Sequence, residues 1–119
     1  MVTHFSGRVT DDEFVELYRS MFADDAYELG TNELADLRGV DDLDLSAQAL
    51  RRVEELTEER YAGSDIGFRT AIIAPRDKSY GIGRMYEVFA EQGPENVRVC
   101  RDVSEALAWL DLEPDAVEL

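Results

Sequence analysis

The sequence has 119 residues, a length that suits one hydrophobic core and not two. Its 12 basic and 27 acidic residues give a formal net charge of −15, which repels phosphate groups and argues against nucleic acid and anionic membrane surfaces as partners. No apolar run reaches the length of a membrane span and no signal-peptide pattern is visible, so we expect a cytoplasmic protein without membrane insertion.

The composition is that of a folded, acidic protein. Hydrophobic residues make up 45% of the chain, too many for a disordered one. The single cysteine, Cys100, cannot form an internal disulfide, and we expect a buried, inert thiol. Lysine occurs only at Lys78, and an acidic surplus with almost no lysine is typical of a surface that stays hydrated in high salt. A halophilic source is therefore one hypothesis, and it predicts stability that rises with salt.

The N-terminal segment predicts a strand followed by a helix. Partial alternation over Met1 to Arg8 indicates a strand that Gly7 closes. Thr10 to Glu13 has the form of a capping box, and apolar residues at helical spacing follow it. We predict the first helix over residues 11–23.

A second strand and helix come next. Glu33 to Leu37 predicts a short strand that ends at Arg38-Gly39, and a polar connection from Val40 to Leu45 leads to the helix. That helix is amphipathic and ends near Gly63; its apolar face carries Leu50, Val53 and Leu56.

The third strand is predicted over Phe68 to Ala74, where a continuous apolar run is typical of a strand buried on both faces. Pro75 ends it, and Asp77 can cap the helix that follows. The expected apolar face of this third helix contains Ile82, Met85, Tyr86 and Phe89.

A last strand contains Val97 and Val99, and Asp102 caps a fourth helix.

We expect a domain over residues 1–111 and a frayed acidic tail over residues 112–119. Four strands alternating with helices predict an α/β fold with a mostly parallel sheet of four or slightly more strands and about four helices. Sites in such sheets lie beyond the carboxyl ends of the strands, here residues 40–46, 75–80 and 101–104.

Ser46 is the first candidate site residue. It follows Asp44 and stands before a helix, where its hydroxyl can accept hydrogen bonds from free backbone N–H groups. The same position favours a phosphate, because the unpaired donors and the helix dipole attract an anion. A cap and a phosphorylation site are compatible. The neighbouring Asp41, Asp42 and Asp44 predict a solvated acidic loop, since they lack the spacing of a standing metal site.

Catalytic chemistry finds no support in the sequence. His4 is the only histidine and has no nearby nucleophile, so neither a catalytic set nor a cofactor is predicted. Gly81-Ile82-Gly83-Arg84 lacks the third glycine of a phosphate-binding loop and indicates close helix packing.

Tyr80, Arg84 and Tyr86 form a second candidate group, because aromatic residues with an arginine are common contact anchors. They are candidates for ligand or partner contact near the third strand. The simpler interpretation places Tyr86 in the core and pairs Arg84 with a carboxylate.

A longer pattern resembles the STAS domain, the fold of bacterial anti-sigma factor antagonists. It runs through Phe5-Ser6-Gly7-Arg8-Val9, Asp36-Leu37-Arg38-Gly39-Val40 and Leu43-Asp44-Leu45-Ser46-Ala47. The segments Ala74 to Glu87 and Glu105 to Leu110 look most like the SpoIIAA-like subgroup of small stand-alone bacterial proteins.

The resemblance implies a role for Ser46, which matches the serine that a partner kinase phosphorylates in the antagonists, and for Asp44 beside it. Partner contact is expected at Asp44, Ser46, Ala47 and Leu50, with an anti-sigma or kinase-like protein as the partner. The family's glycine after the serine is Ala47 here, which obstructs close approach of a kinase.

Two functions follow as hypotheses. The first is a non-enzymatic regulatory or protein-interaction module of unknown function, switched by phosphorylation at Ser46. The alternative is a small-molecule or lipid carrier with a pocket near Tyr80, Arg84, Tyr86 and Phe89, since the subgroup is also similar to the CRAL-TRIO lipid-binding fold. Homodimerisation through an exposed helix face is compatible with either.

Overall fold

The computed structural model describes all 119 residues, Met1–Leu119. Strands and helices alternate in the order β1 (Val2–Thr10), α1 (Asp11–Ala23), β2 (Glu33–Asp44), α2 (Ala47–Tyr61), β3 (Phe68–Ile73), α3 (Asp77–Ala90), β4 (Glu95–Cys100) and α4 (Val103–Trp109). No helix is long and apolar enough to cross a bilayer.

The four strands form one parallel sheet in the order β1-β2-β3-β4. The predicted α/β class and four-stranded parallel sheet are therefore confirmed. β3 lies between β2 and β4, as its continuous apolar run predicts. The two edges of the sheet are β1 and β4.

Helices cover both faces of the sheet. The larger core cluster joins one face to side chains of α1, α2 and α3, among them Phe22, Val53 and Tyr86. The smaller cluster joins the opposite face to α4, where Ile73 and Cys100 pack against Leu107. The predicted apolar face of α2 is confirmed, because Leu50, Val53 and Leu56 are all buried.

β1 and β2 are both longer than predicted. β1 continues past Gly7, which adopts a φ of 65° at a register shift between the two strands, and runs to Thr10. β2 does not end at Arg38-Gly39 but continues to Asp44, so residues 40–44 are strand and not loop. The physical reason is pairing with β1, which places Val40 opposite Gly7 and buries it in the core.

α1 has the predicted bounds, Asp11–Ala23, and the predicted side-chain caps are found at two of the four helices. Ser46 and Asp102 cap α2 and α4 through their side chains. Thr10 stands at the N-cap of α1, but its hydroxyl donates to the Glu13 carboxylate at 2.9 Å instead of accepting from the backbone. Asp77 is the first residue of α3 rather than its cap, since Arg76 precedes it in extended conformation.

The core-facing side of α3 differs from the prediction at one position. Tyr86 is buried and Ile82 and Phe89 are half-buried, whereas Met85 is exposed. Gly83 is buried against the Val99 side chain, and a Cβ at this glycine would overlap it. The interpretation of this segment as close helix packing is confirmed at Gly83.

Cys100 is buried and free, as predicted, and burial raises the pKa of its thiol to about 11.

Beyond α4, the N–H of Leu112 donates to the carbonyl of Leu107 at 2.9 Å. Leu112 and Val117 pack against the smaller core cluster.

Candidate functional site

Ser46 lies at the carboxyl end of β2 and opens α2. Its backbone is extended, with φ −85° and ψ 159°, and its Oγ accepts a hydrogen bond from the Ala49 N–H at 3.1 Å. The side chain is exposed to solvent. Ser46 therefore caps the helix while its hydroxyl stays accessible from outside.

Asp11, the first residue of α1, holds Ser46 from the other side. Its Oδ2 accepts from the Ser46 hydroxyl at 2.6 Å, and its Oδ1 accepts from the Ser46 N–H at 2.8 Å. The β1–β2 register places Thr10 beside Asp44, so the residues that follow these two strand ends meet. No local pattern in the sequence indicates Asp11, because only strand pairing brings it to a serine 35 positions away.

This contact gives the serine hydroxyl a defined proton acceptor. A carboxylate that accepts from a hydroxyl makes a short, charge-assisted hydrogen bond and can take up the proton when the oxygen forms a new bond. The same carboxylate repels any second anion placed on that oxygen. The Asp11–Ser46 pair is therefore compatible with both a stable unmodified state and a large electrostatic change on modification.

An open groove lies beside this pair, between the N-terminal halves of α1 and α2. Its volume is about 1150 Å³ and most of its lining is polar or charged, including Glu16, Arg19, Gln48 and Arg52. Arg19 pairs with Glu16 at 2.8 Å, and Arg52 pairs with Glu55 at 3.1 Å. A polar segment of a partner protein suits such a surface better than a buried small molecule does. We call it the α1–α2 groove.

The other predicted partner residues fall in different environments. Asp44 is exposed and pairs with Arg8 at 2.6 Å, and Ala47 is half-buried. The prediction that Leu50 contacts a partner is wrong, because Leu50 is buried in the larger core cluster and offers no surface to a partner. The reason is helical geometry, which turns Leu50 from the exposed side of Ser46 toward the sheet.

Two of the three acidic residues before Ser46 pair with cations, whereas Asp41 is exposed and has no ion pair. Asp42 pairs with Lys78 at 2.7 Å, and this pairing holds the pKa of its carboxyl below the usual range. Arg8 lies between Asp42 and Asp44, which it contacts at 3.8 and 2.6 Å. The predicted solvated loop is thus a paired segment at the end of β2. No group of three or more Asp, Glu, His or Cys side chains is arranged to hold a metal ion.

The second candidate group does not form one site. Tyr86 is buried and donates its hydroxyl to Glu95 at 2.6 Å. Tyr80 lies under the guanidinium of Arg101, 4.0 Å from the ring centroid, and Arg84 pairs with Glu87 at 2.9 Å. Two residues along a helix point about 200° apart, so Arg84 and Tyr86 cannot face one pocket. Tyr86 is therefore a core tyrosine and Arg84 a paired arginine, while Tyr80 and Arg84, one turn apart, lie along the same surface groove.

A small cavity lies between the sheet and the first three helices. Its volume is about 50 Å³ and its lining is mostly apolar, with Thr70 and Glu95 among the polar residues. Tyr86 lines it, whereas Tyr80 and Arg84 do not. Pockets for small organic ligands measure roughly 300 Å³ or more, so this cavity does not hold a lipid.

Three glutamates are buried on the same side of the sheet, and the sequence analysis did not single them out. Glu33 accepts from the Tyr18 hydroxyl at 2.8 Å, and Glu95 accepts from Thr70 and Tyr86, both at 2.6 Å. Burial raises the pKa of Glu33, and it raises the pKa of Glu95 to about 7. Burial therefore favours the protonated form of both carboxyls relative to an exposed glutamate.

Glu54 is the third member and has no hydrogen-bond partner at either carboxylate oxygen. Burial, followed by the nearby Glu95 charge, raises its pKa to about 8. Gly93 packs directly on this carboxyl. The contact is so close that a Cβ at position 93 would overlap Oε1 of Glu54. The helical spacing indicates this burial, because Glu54 stands four residues after Leu50 and seven before Tyr61 on the buried face of α2, although its acidic side chain is typical of a surface position.

The fold is similar to that of a solved structure. A crystal structure of an uncharacterised protein of the DUF3478 family from Shewanella loihica PV-4, described as having a SpoIIAA-like fold, shares 21% sequence identity with this chain. The match covers 92% of this chain and 82% of that one, with a TM-score of 0.54. No family model and no curated protein matches the sequence. The likeness shows that the chain has a SpoIIAA-like fold.

Proposed function

We propose that this protein with a SpoIIAA-like fold is a non-enzymatic, cytoplasmic regulatory module. It binds a protein partner through Ser46 and the α1–α2 groove, and phosphorylation of Ser46 switches that binding. The observation that carries the proposal is the contact of the exposed Ser46 hydroxyl with Asp11 at 2.6 Å. It links the modifiable oxygen directly to the helix that forms one wall of the groove.

The chemical step is phosphoryl transfer from ATP by a partner kinase. The Ser46 Oγ bonds to the γ-phosphorus, the bond from that phosphorus to the β–γ bridging oxygen breaks, and ADP leaves. The hydroxyl proton passes to Asp11, which already accepts it in a hydrogen bond. Asp11 is the proton acceptor in this step, and the partner supplies the nucleotide and its own catalytic groups.

The switch follows from the charge added. The phosphate carries about two negative charges and replaces a hydrogen-bond donor, so the Ser46–Asp11 bond is lost and the two groups repel. Asp12 and Glu13 in the first turn of α1 add to that repulsion. The N–H groups at the start of α2 still attract the phosphate. We therefore expect the start of α1 to move from that of α2, which changes the shape of the groove.

Ala47 does not exclude a partner kinase, but it restricts how closely that kinase can approach Ser46. It replaces the glycine expected after the serine, and it is half-buried at the first turn of α2. Its methyl group prevents the closest approach of a kinase loop to the Ser46 backbone. The matching kinase therefore needs a wider cleft than one that recognises a serine-glycine turn.

The test is intact-mass analysis of the full chain after incubation with ATP, Mg²⁺ and extract of the source cells. We expect a gain of one phosphoryl group that Ser46→Ala abolishes and that Asp11→Asn lowers. Ser104→Ala is the matched control, since Ser104 is also exposed in the first turn of a helix. An unchanged gain in Ser46→Ala would refute phosphorylation at this site.

Partner binding is tested separately by pull-down with the same variants. We expect Ser46→Asp and a double charge reversal, Arg19→Glu with Arg52→Glu, to lose a protein that the unmodified chain captures. If both variants capture the same proteins as the unmodified chain, the groove is not the binding surface.

A further inference from the structure

A single turn joins α3 to β4 at the amino end of the sheet, opposite the end where Ser46 lies. Two surface depressions meet at this turn, and Gly93 and Pro94 line both of them. The larger one measures about 450 Å³ and reaches the chain before β3, and the smaller one measures about 330 Å³ and follows the start of β4. We call the two depressions together the amino-end surface.

The charges of the amino-end surface all have one sign. Its lining contains five acidic side chains and no basic one: Glu58, Asp65, Glu87, Glu91 and Glu95. Glu95 is buried and Glu87 pairs with Arg84, whereas the other three are exposed and have no ion pair. The α1–α2 groove differs, since three arginines line it beside its acidic residues. The amino-end surface therefore has no cation of its own.

Glu54 lies beneath this surface and adds an independent observation to the exposed charges. Only 6% of its surface is exposed, and neither carboxylate oxygen has a hydrogen-bond partner. Gly93, which lines both depressions, packs on Oε1, so one glycine lies between the carboxyl and the surface. Buried polar groups are normally paired. An unpaired carboxyl directly beneath an open surface indicates a place where a ligand supplies the missing partner.

The groups that face Glu54 within the chain cannot supply that partner. Glu58 lies one turn along α2, Glu95 lies on β4, and the Tyr86 hydroxyl of α3 already donates to Glu95. Burial, followed by Glu95 and Glu58, raises the pKa of Glu54. All of the charged groups that act on this carboxyl are acidic. A cation that favours its ionised form must therefore come from outside the chain.

The apolar part of the surface indicates the kind of cation. Ile66 is one of the few large hydrophobic residues that are exposed, at 45%, and it lies in the larger depression with Pro94. A hydrated metal ion gains nothing from such a contact, and the side chains are not arranged to hold one. A peptide can place a basic side chain on the carboxylates and an apolar one on Ile66.

We propose that the amino-end surface binds a segment of a partner protein in which basic and apolar side chains alternate. Its arginines or lysines pair with the three exposed carboxylates, and an apolar side chain packs on Ile66. One cation lies over Gly93, where it favours the Glu54 anion, and the carboxyl proton passes to solvent. The surface includes neither Ser46 nor the α1–α2 groove, so binding here is independent of the phosphorylation switch.

Fluorescence polarisation with the full chain, at about 0.15 M salt to screen distant charges, tests the charge complementarity. The probes are two labelled peptides, one of alternating valine and arginine and a matched one of alternating valine and glutamate. We expect the arginine peptide alone to bind. The triple variant Glu58→Gln, Asp65→Asn and Glu91→Gln should weaken that binding roughly tenfold or more. Equal binding of both peptides would overturn the proposal.

A matched control separates this surface from the net charge of the chain. Glu113→Gln, Asp115→Asn and Glu118→Gln together remove the same three charges from exposed residues beyond α4. We expect this control variant to bind the arginine peptide nearly as well as the unmodified chain. An equal loss of binding in the two triple variants would show attraction to the net charge alone and would reject the amino-end surface.

Proton release tests the role of Glu54. Isothermal titration calorimetry of the arginine peptide at pH 7, in two buffers of different ionisation enthalpy, counts the protons released on binding. We expect the unmodified protein to release a proton, because its neutral Glu54 ionises beneath the cation, and Glu54→Gln to release less. Glu54→Met replaces Glu54→Gln if the latter does not fold. No release by the unmodified protein, or equal release by the variant, contradicts a cation over Gly93.

Two further measurements test other occupants. Spermine carries positive charge without apolar side chains, and Ile66→Ser removes the apolar contact. We expect Ile66→Ser to weaken peptide binding, and spermine to displace the peptide only at much higher concentration than unlabelled peptide does. Equal potency of spermine and unlabelled peptide would overturn the assignment to a protein segment. In sedimentation velocity, a dimer that the Glu58, Asp65 and Glu91 variant dissociates would assign the surface to a second copy of the chain instead.

Discussion

Glu54 and Asp36 are buried to nearly the same extent, with 6% and 5% of their surfaces exposed, yet their carboxyls respond in opposite directions. Glu54 lies between the sheet and the helices without a hydrogen-bond partner, and its pKa rises to about 8. Asp36 lies on the opposite face, where Arg38 donates to it from the backbone N–H and the guanidinium, and its pKa falls. His4 adds a contact at 3.1 Å.

Hydrogen-bond partners, and not the degree of burial, decide the direction in which the pKa of these two buried carboxyls shifts. Loss of water disfavours the anion in both places. At Asp36 a bidentate guanidinium and a backbone N–H more than replace that water. At Glu54 nothing replaces it, so the proton stays on. The face of the sheet packed against α1, α2 and α3 therefore raises the pKa of its buried glutamates, while Asp36 on the other face has a lowered pKa.

Among the substitutions at these buried carboxyls, Glu95→Ala should cause the largest loss of stability. The substitution leaves the Thr70 and Tyr86 hydroxyls without their acceptor and enlarges the neighbouring cavity. We expect the free energy of unfolding at pH 6 to fall by about 2–4 kcal/mol. Urea denaturation measures it. Glu95→Gln keeps an acceptor and should lose less than half as much, whereas a loss below about 0.5 kcal/mol in Glu95→Ala would contradict the buried network.

Glu54→Met should stabilise the protein, because it replaces an unpartnered carboxyl with an apolar side chain of similar length. We expect a gain of about 1–2 kcal/mol at pH 8 from urea denaturation. Glu55→Gln on the exposed side of α2 is the control and should change the stability by less than about 0.5 kcal/mol. A destabilised Glu54→Met protein would show that the carboxyl has a partner in solution.

The pH dependence of that gain has a definite sign. The folded pKa of Glu54, about 8, lies above the unfolded value of 4.5, so the folded state holds more protons between these two pH values. The unfolding free energy of the parent protein therefore falls as the pH rises through this range, and Glu95 adds to the slope up to about pH 7. Glu54→Met should flatten the slope. An equal slope in both proteins would exclude Glu54 as its source.

Asp36→Asn should produce the smallest of the three effects and the opposite pH profile. The folded pKa of Asp36 is lowered, so its stabilisation is present above the unfolded value of 3.8 and is lost as the pH falls through the folded one. We expect a loss of about 1 kcal/mol at pH 7, and a difference between the two proteins that disappears as the pH falls through the lowered pKa of Asp36. A difference that persists in acid would assign the effect to packing and not to charge.

Much of the fold was predictable because its signals are local. The period of the apolar residues located α1 and α2, the uninterrupted apolar run located β3, and Ser46 and Asp102 marked two helix starts. The second half of β2 was missed, since its acidic residues are typical of a loop. Pairing with a bulged β1 makes it a strand, and no property of either segment alone reveals that.

For the candidate site, the sequence by itself determined one residue and its local chemistry: Ser46, at the start of a helix, with a hydroxyl that can cap or accept a phosphate. Only the tertiary structure decided what surrounds it. Asp11 reaches Ser46 through the register of two strands, Leu50 turns into the core, and burial raises the pKa of Glu54 and Glu95. The reason is physical: capping depends on neighbours along the chain, whereas burial, pairing and pKa depend on groups brought together only by the packed sheet.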